Sequence, residues 1–456
     1  MNKVYTFFCC CLLLAMGGVK AQALPGLKVS ANHRYLLTAD GDPFFWLGDT
    51  GWLLFSKLTR EEAVQYLEDR KAKGFNVIQA MVLHTVKAKN VYGDSALVGK
   101  NVARPLIKKE HDYWQHVDYI VKAAESRGIY VAMVPVWGSD VKGGLVNSKQ
   151  AKTYATFLAN RYKGFSNIIW MNGGDIKGSD SIQVWNTIGS TLYQLDKNHL
   201  VTFHPRGRYS SSAWFHNQSW LSFNVFQSGH RDYSQDTSRG EWHYGEDNWK
   251  YVQRDFKLQP AKPSFDAEPI YENIPHGLHD TLAAKWNAGD VRRYGYWSVF
   301  AGGCGYTYGN NAVMQMRKAD ETETGAYGAR DYWFDAINNP GASQMIHIKQ
   351  LLLSRPYLER VPDATLIAEG TQGERYNYLA ATRGKKYAFV YTYTGRNITI
   401  APGKIQGNTI KAQWYNPRNG EYIAIETYAN TATKTFDPPG EPAAGNDWVL
   451  VLDSTD

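Results

Sequence analysis

Eight short apolar runs, most of them separated by stretches of helical period, pace the first three-quarters of this 456-residue chain. They begin near residues 44, 75, 129, 168, 200, 223, 263 and 304. Between them, Thr59-Arg-Glu-Glu62 forms a capping box, and Ala63, Tyr66 and Leu67 follow at helical spacing until Gly74 closes the helix. A second helix over Tyr113–Arg127 carries Trp114, Val117, Ile120, Val121 and Ala124 on one face, and further helices are expected over Lys149–Tyr162 and Ile182–Leu195. Strands that alternate with helices in this way predict an α/β chain folded as a (β/α)8 barrel. The step from 200 to 223 is the shortest and the least like a complete unit. A doubly wound open sheet is the alternative, but it normally opens with a phosphate-binding glycine turn, and Gly48-Asp49-Thr50-Gly51 does not match one.

Both ends of the chain have a different texture. Lys3, the apolar run from about Val4 to Met16 and the small-residue end at Ala21-Gln22-Ala23 read as a secretory signal peptide over residues 1–23, with an apolar run too short to span a bilayer. Cys9, Cys10 and Cys11 follow Thr6-Phe7-Phe8, which lacks the small residues of a lipid-attachment site. Cleavage there leaves Cys304 as the one cysteine, so an exported, disulfide-free protein is expected, either periplasmic or extracellular. A hairpin with its turn at Asp40-Gly41 leads into the barrel, which is expected to fill residues 24–360. From about Pro362 strands follow one another without helices, at Tyr387, Asn397, Ile410, Tyr422 and Trp448, with turns at Asn416–Gly420 and Pro438–Gly440. A small antiparallel β-sandwich over residues 361–456 is the expected fold of this part.

Composition narrows the chemistry. A formal charge of +7 comes from 50 basic and 43 acidic residues with no basic stripe, which argues against a nucleic-acid partner. Fifteen Trp and 30 Tyr supply flat faces with polar edges that suit sugars, although most must fill the core. No His-Glu-x-x-His, repeated Cys-x-x-Cys, Gly-x-Ser-x-Gly, phosphate loop or dinucleotide fingerprint occurs, so neither metal nor cofactor is expected. In a barrel of this kind the site lies at the C-terminal strand ends, which here offer Asp49, Gln79, Trp137, Asp175, His204, Gln227, Glu268 and Tyr308. Asp175 closes Trp170-Met-Asn-Gly-Gly-Asp175 and Glu268 closes Pro263-Ser-Phe-Asp-Ala-Glu268, on the fourth and seventh strands, which face each other across the mouth. Two such carboxyl groups, one protonated and one ionised, are what glycoside hydrolysis requires. Asp266 and Glu272 compete with Glu268 for that place. Trp52 and Asn172 are positioned to hold sugar hydroxyls or an apolar sugar face, and Trp297 is either a further mouth residue or packing on the seventh helix.

Phe44-Phe-Trp-Leu-Gly-Asp-Thr-Gly-Trp52, Lys73-Gly-Phe-Asn76, Trp170-Met-Asn-Gly-Gly-Asp175 and Asp266-Ala-Glu-Pro269, in that order, resemble the apiosidase-like glycoside hydrolases of glycoside hydrolase family 140 and its relatives. Trp414-Tyr-Asn-Pro-Arg-Asn-Gly420 is similar to the C-terminal sandwich of these proteins, often labelled a collagen-binding domain. The resemblance implies a catalytic barrel with Asp175 as general acid/base and Glu268 as nucleophile, and release of apiose from side chains of the pectin rhamnogalacturonan II. Opposed fourth and seventh strands can bring Asp175 and Glu268 to about 5–5.5 Å, the separation for direct attack, so retention of anomeric configuration is expected. The alternative is a non-catalytic glycan-binding surface protein on the same scaffold, against which the presence of both carboxylates argues.

Overall fold

The computed structural model describes residues 23–238 and 240–456; the expected signal peptide lies, but for Ala23, outside them. The eight anticipated strands all form: β1 (Trp46–Thr50), β2 (Val77–Met81), β3 (Tyr130–Val134), β4 (Ile168–Ile176), β5 (Val201–Pro205), β6 (Asn224–Gln227), β7 (Ser264–Asp266) and β8 (Gly305–Tyr308). They pair in parallel in the order β5-β4-β3-β2-β1-β8-β7-β6. No regular ladder joins β5 to β6, but Ser222 N donates to the Val201 carbonyl at 2.8 Å and the Thr202 hydroxyl to the Phe223 carbonyl at 2.7 Å, which brings the ends together. The short interval expected to be weakest is the one without a full helix: only the single turn Ser212–Phe215 lies between β5 and β6, preceded by a two-residue antiparallel strand beside β6, Tyr209–Ser210.

The helices form where polar caps precede apolar faces. α1 (Arg60–Ala72) starts at the anticipated capping box, with Glu62 N donating to Thr59 Oγ1 at 3.2 Å and Thr59 N to Glu62 Oε2 at 2.7 Å. α2 (Tyr113–Glu125) buries all five residues of its expected face. α3 (Ser148–Tyr162) and α4 (Ile182–Leu195) fall within a residue of their expected limits. α5 (Trp249–Phe256) precedes β7, and α6 (Ala288–Phe300), capped by Asn287, precedes β8. Inside the barrel, Trp46 packs against Phe265 and Phe223, with ring centroids 4.7 and 6.1 Å away, so the interior is filled with side chains and the open space lies above it.

The C-terminal part is antiparallel. Its strands β9 (Val361–Pro362), β10 (Ala380–Arg383), β11 (Tyr387–Thr392), β12 (Thr409–Tyr415), β13 (Tyr422–Ala429) and β14 (Trp448–Ser454) make a sheet ordered β9-β10-β11-β14-β12-β13. The two-residue period of β11 and β14 sends Val390, Leu450 and Leu452 to one face and Phe389, Tyr391, Val449 and Val451 to the other. The first face packs on the ribbon of Ile398–Ile400 with Lys434–Phe436, completing a thin sandwich. The second face packs on α6 of the barrel: Tyr296 stacks on Tyr391 at 4.7 Å and Phe300 lies 6.1 Å from Phe389. Arg292 of α6 makes a bidentate pair with the buried Asp447, at 2.8 and 2.7 Å.

Because both faces of this sheet are apolar, the barrel cannot be separated from it without exposing an aromatic wall. The full chain should therefore unfold in one transition, and Phe389→Ala should lower stability by about 3–5 kcal/mol in urea titration. A chain cut before Val361 that stays soluble, with unchanged melting temperature, would contradict this packing.

Candidate active site

A cavity of about 480 Å³ opens at the C-terminal ends of the barrel strands and contains both Asp175 and Glu268. Each reaches it by a local departure from regular strand structure. In β4 the pairing with β5 runs Gly173 opposite His204 and resumes only at Ile176 opposite Pro205, so Gly174 and Asp175 bulge out of the ladder. Gly173 and Gly174 have φ of +93° and +108°, and Asp175 itself sits at +47°. A Cβ on Gly174 would run into the Trp137 indole, and one on Gly173 into Phe203 and the His204 carbonyl. Two glycines are therefore what allows the short aspartate side chain to be carried into the cavity.

Glu268 stands two residues beyond β7. The strand end is fixed from both sides: Gln79 donates to the Ala267 carbonyl at 2.9 Å, and Ala267 N donates to the Phe226 carbonyl at 2.9 Å. His230 Nε2 lies within hydrogen-bond distance of Glu268 Oε1, at 3.3 Å. His204 Nε2 is 3.2 Å from Oε2 but out of line for a hydrogen bond, and both ring nitrogens of this buried histidine lack partners among the described residues. Trp52 stands edge-on to His204 at 5.3 Å and donates from Nε1 to the Tyr271 hydroxyl at 3.2 Å.

The two carboxyl groups are driven apart in acidity. Asp175 is open to the cavity yet enclosed by its walls, and this desolvation, followed by the charge of Glu268, pushes it up to about 6. Burial would raise Glu268 too, but His204 and His230 outweigh it and hold that carboxyl down, to about 2. Between those values one group is protonated and the other ionised, the arrangement that acid-assisted cleavage of an acetal needs.

Of the other expected residues, Trp52 and Gln227 line the cavity, with Gln227 Oε1 unpartnered among the described residues, and His204 lies 3.2 Å from Glu268. Four face elsewhere. Asp49 is fully buried, accepting from the Tyr66 hydroxyl at 2.5 Å and Arg70 at 3.2 Å. Asn172 donates to the Trp185 carbonyl at 2.8 Å and accepts from Gly173 N at 3.1 Å, so both ends of its amide are used in holding backbone. Tyr308 donates to Glu272 at 2.6 Å below the mouth. Trp297 packs at the domain junction between Tyr378 and Arg293, which decides in favour of packing. Strand periodicity explains the misplacement of Asp49, Asn172 and Tyr308, since alternate residues at a strand end point outward to the helices. The competitors are also placed: Asp266 accepts from Ser228 N, the Ser228 hydroxyl and Asn248 under the β6 loop, and Glu272 accepts from Tyr308 and Gly341 N.

Sequence reasoning passed over His230, Tyr271, Arg206, Arg208 and Tyr327, all of which line the cavity from loops beyond the strands. Gly229, with φ +84° just before His230, and Gly328, with φ +69° just after Tyr327, mark two of these turns. Among the described residues no group of three His, Cys, Asp or Glu converges as a metal site, and no helix is long and apolar enough to cross a membrane.

Residues 30–359 match the family described as "Apiosidase-like, catalytic domain". The chain belongs to the apiosidase-like family. Residues 361–453 match the "Putative collagen-binding domain of a collagenase". A solved structure described as a glycoside hydrolase is 46% identical, covers 96% of this chain and 99% of its own, and superposes with a TM-score of 0.91. A glycoside hydrolase family 5 structure from Bacteroides vulgatus ATCC 8482 is 44% identical over 94% of this chain and 93% of its own, with a TM-score of 0.90. No match to a curated protein was found. The protein is a glycoside hydrolase with a carbohydrate substrate, which sets aside the purely binding alternative.

If the like charge of Glu268 helps to raise Asp175, Glu268→Gln should move the Asp175 titration to lower pH, as read by carbon NMR of the labelled carboxyl. An unchanged midpoint would contradict the coupling.

Proposed function

We propose that this enzyme is exported and removes apiose from side chains of rhamnogalacturonan II by a retaining, two-carboxylate mechanism. The observation that carries the mechanism is the pair of carboxyl groups in one cavity with opposed acidities. Glu268, ionised and braced by two imidazoles, attacks the anomeric carbon, and Asp175 gives its proton to the departing oxygen. The bond formed is an ester between sugar and Glu268; the bond broken is the glycosidic C–O. In the second half Asp175, now ionised, takes a proton from water, which displaces Glu268 and regenerates both groups. Trp52 and Trp137, whose rings lie 5.4 Å apart at the cavity wall, offer the apolar faces a sugar can rest on. Membership of the apiosidase-like family supports the choice of sugar. The leader-like pattern of residues 1–23 supports export.

Protein recovered from the cell envelope or medium should begin near residue 24 and, given pectic side-chain oligosaccharides, release apiose whose first-formed anomer retains the substrate configuration in proton NMR. Asp175→Asn should lower the rate on natural glycosides about 10²–10⁴-fold and much less on aryl glycosides whose leaving group departs without a proton. Inverted product, or equal losses on both substrate types, would contradict the mechanism.

A further inference from the structure

The loop after β8 presents one aromatic side chain to the cavity in a backbone conformation that aromatic residues avoid. Tyr327 lines the cavity with φ +55° and ψ 34°, left-handed geometry that is unfavourable for a bulky residue. Such a conformation persists only where its surroundings over-determine it. Here they do. The Gln315 side chain accepts from Ala326 N at 2.8 Å and donates to the Ala326 carbonyl at 3.1 Å. Asn311 Nδ2 donates to the Tyr327 carbonyl at 3.1 Å, and Gly325 N donates to the Ala329 carbonyl at 2.9 Å. Gln315 and Asn311 are themselves buried and tied together, with Gln315 Nε2 donating to the Asn311 carbonyl at 2.7 Å.

Two amides that start from the end of β8 thus fix the backbone on either side of a single residue, and what they fix is the direction of its phenol. The ring packs partly on the core, while among the described residues the Tyr327 hydroxyl has no hydrogen-bond partner. It shares its cavity with Asp175 and Glu268, whose negative charges, after burial, raise the phenol. Leu278 and His279 also line the cavity, the His279 ring 6.1 Å from that of Tyr327.

We propose that Tyr327 is a substrate-contacting residue, with its hydroxyl hydrogen-bonded to a hydroxyl group of the sugar held between Asp175 and Glu268. This rests on the reading of the cavity as the hydrolytic site. The strained loop is the cost of aiming a rigid donor at the reacting ring before substrate arrives, so that little ordering remains to be done on binding.

The test uses the full chain and Tyr327→Phe, which keeps the ring and the left-handed backbone. One arm measures kcat/KM on pectic side-chain oligosaccharides; the other measures the affinity of the same oligosaccharides for Glu268→Gln with and without Tyr327→Phe, by calorimetry, which needs no turnover. With the melting temperature unchanged, Tyr327→Phe should lower kcat/KM about 10- to 100-fold and weaken binding in the Glu268→Gln background. Values within twofold of the parent in both arms, with the parent active, would overturn the role of Tyr327 and leave the hydrolytic reading intact. If the parent hydrolyses nothing yet Glu268→Gln binds and the double variant does not, the role of Tyr327 stands and the proposed substrate reaction falls. If neither hydrolysis nor binding occurs with these oligosaccharides, both are overturned.

Discussion

Two carboxyl groups at the mouth of one barrel, close enough for the charge of one to raise the other, need opposite environments if they are to differ in ionisation. The chain provides these with different devices. Asp175 is carried into a walled cavity by a bulge that only Gly173 and Gly174 permit, and among the described residues it receives no hydrogen bond that would favour its anion there. Glu268 is buried more deeply but meets His204 and His230, one from the end of β5 and one from the loop after β6. Gln79, Ala267 and Phe226 lock the segment that bears it. Remove either device and the two acids would approach one another in acidity, which is the state the proposed chemistry cannot use.

The loop that carries His230 links this site to the second domain. It starts at Ser228, which is held by Asp266, and runs to Glu246 and Asn248. Glu246 accepts from Tyr233 N at 3.1 Å and from the hydroxyl of Tyr376, a residue of the C-terminal part, at 2.9 Å, and pairs with Arg293 of α6 at 2.6 Å. The Arg293 guanidinium lies 4.9 Å from the rings of Trp297, Tyr376 and Tyr393, so a buried cation sits in an aromatic box built by both domains. The second sheet is thereby a structural partner of the barrel. Its apolar outer face is consumed by α6, and its Tyr376 braces the loop from which one imidazole reaches Glu268.

The fold was legible because the hydrophobic period changes so clearly, from buried runs alternating with helical faces to strands following strands after residue 361. All eight barrel strands lie where the apolar runs are, and the one step too short for a helix contains a single turn. The carboxyl pair was legible because both residues close strands in irregular, glycine- or proline-flanked turns. The neighbours were not. Asp49, Asn172 and Tyr308 sit at strand ends like Asp175, but their side chains point to Arg70, to the α4 carbonyl of Trp185 and to Glu272, and strand position alone does not distinguish inward from outward. Trp297 is on a helix whose every turn is covered, one side by the barrel and the other by a domain whose docking leaves no local mark in the sequence. His230, Tyr271 and Tyr327 come from long loops, where no period constrains direction.

The central claim is that Glu268 becomes bonded to the sugar. A substrate bearing an activated leaving group, with fluorine beside the anomeric carbon to slow the second half-reaction, should leave one sugar mass on the protein. Peptide mass spectrometry should place that mass on Glu268, and Glu268→Gln should remain unlabelled. A sugar attached to any other side chain, or a native enzyme that turns this substrate over with no covalent species at any time, would contradict the account.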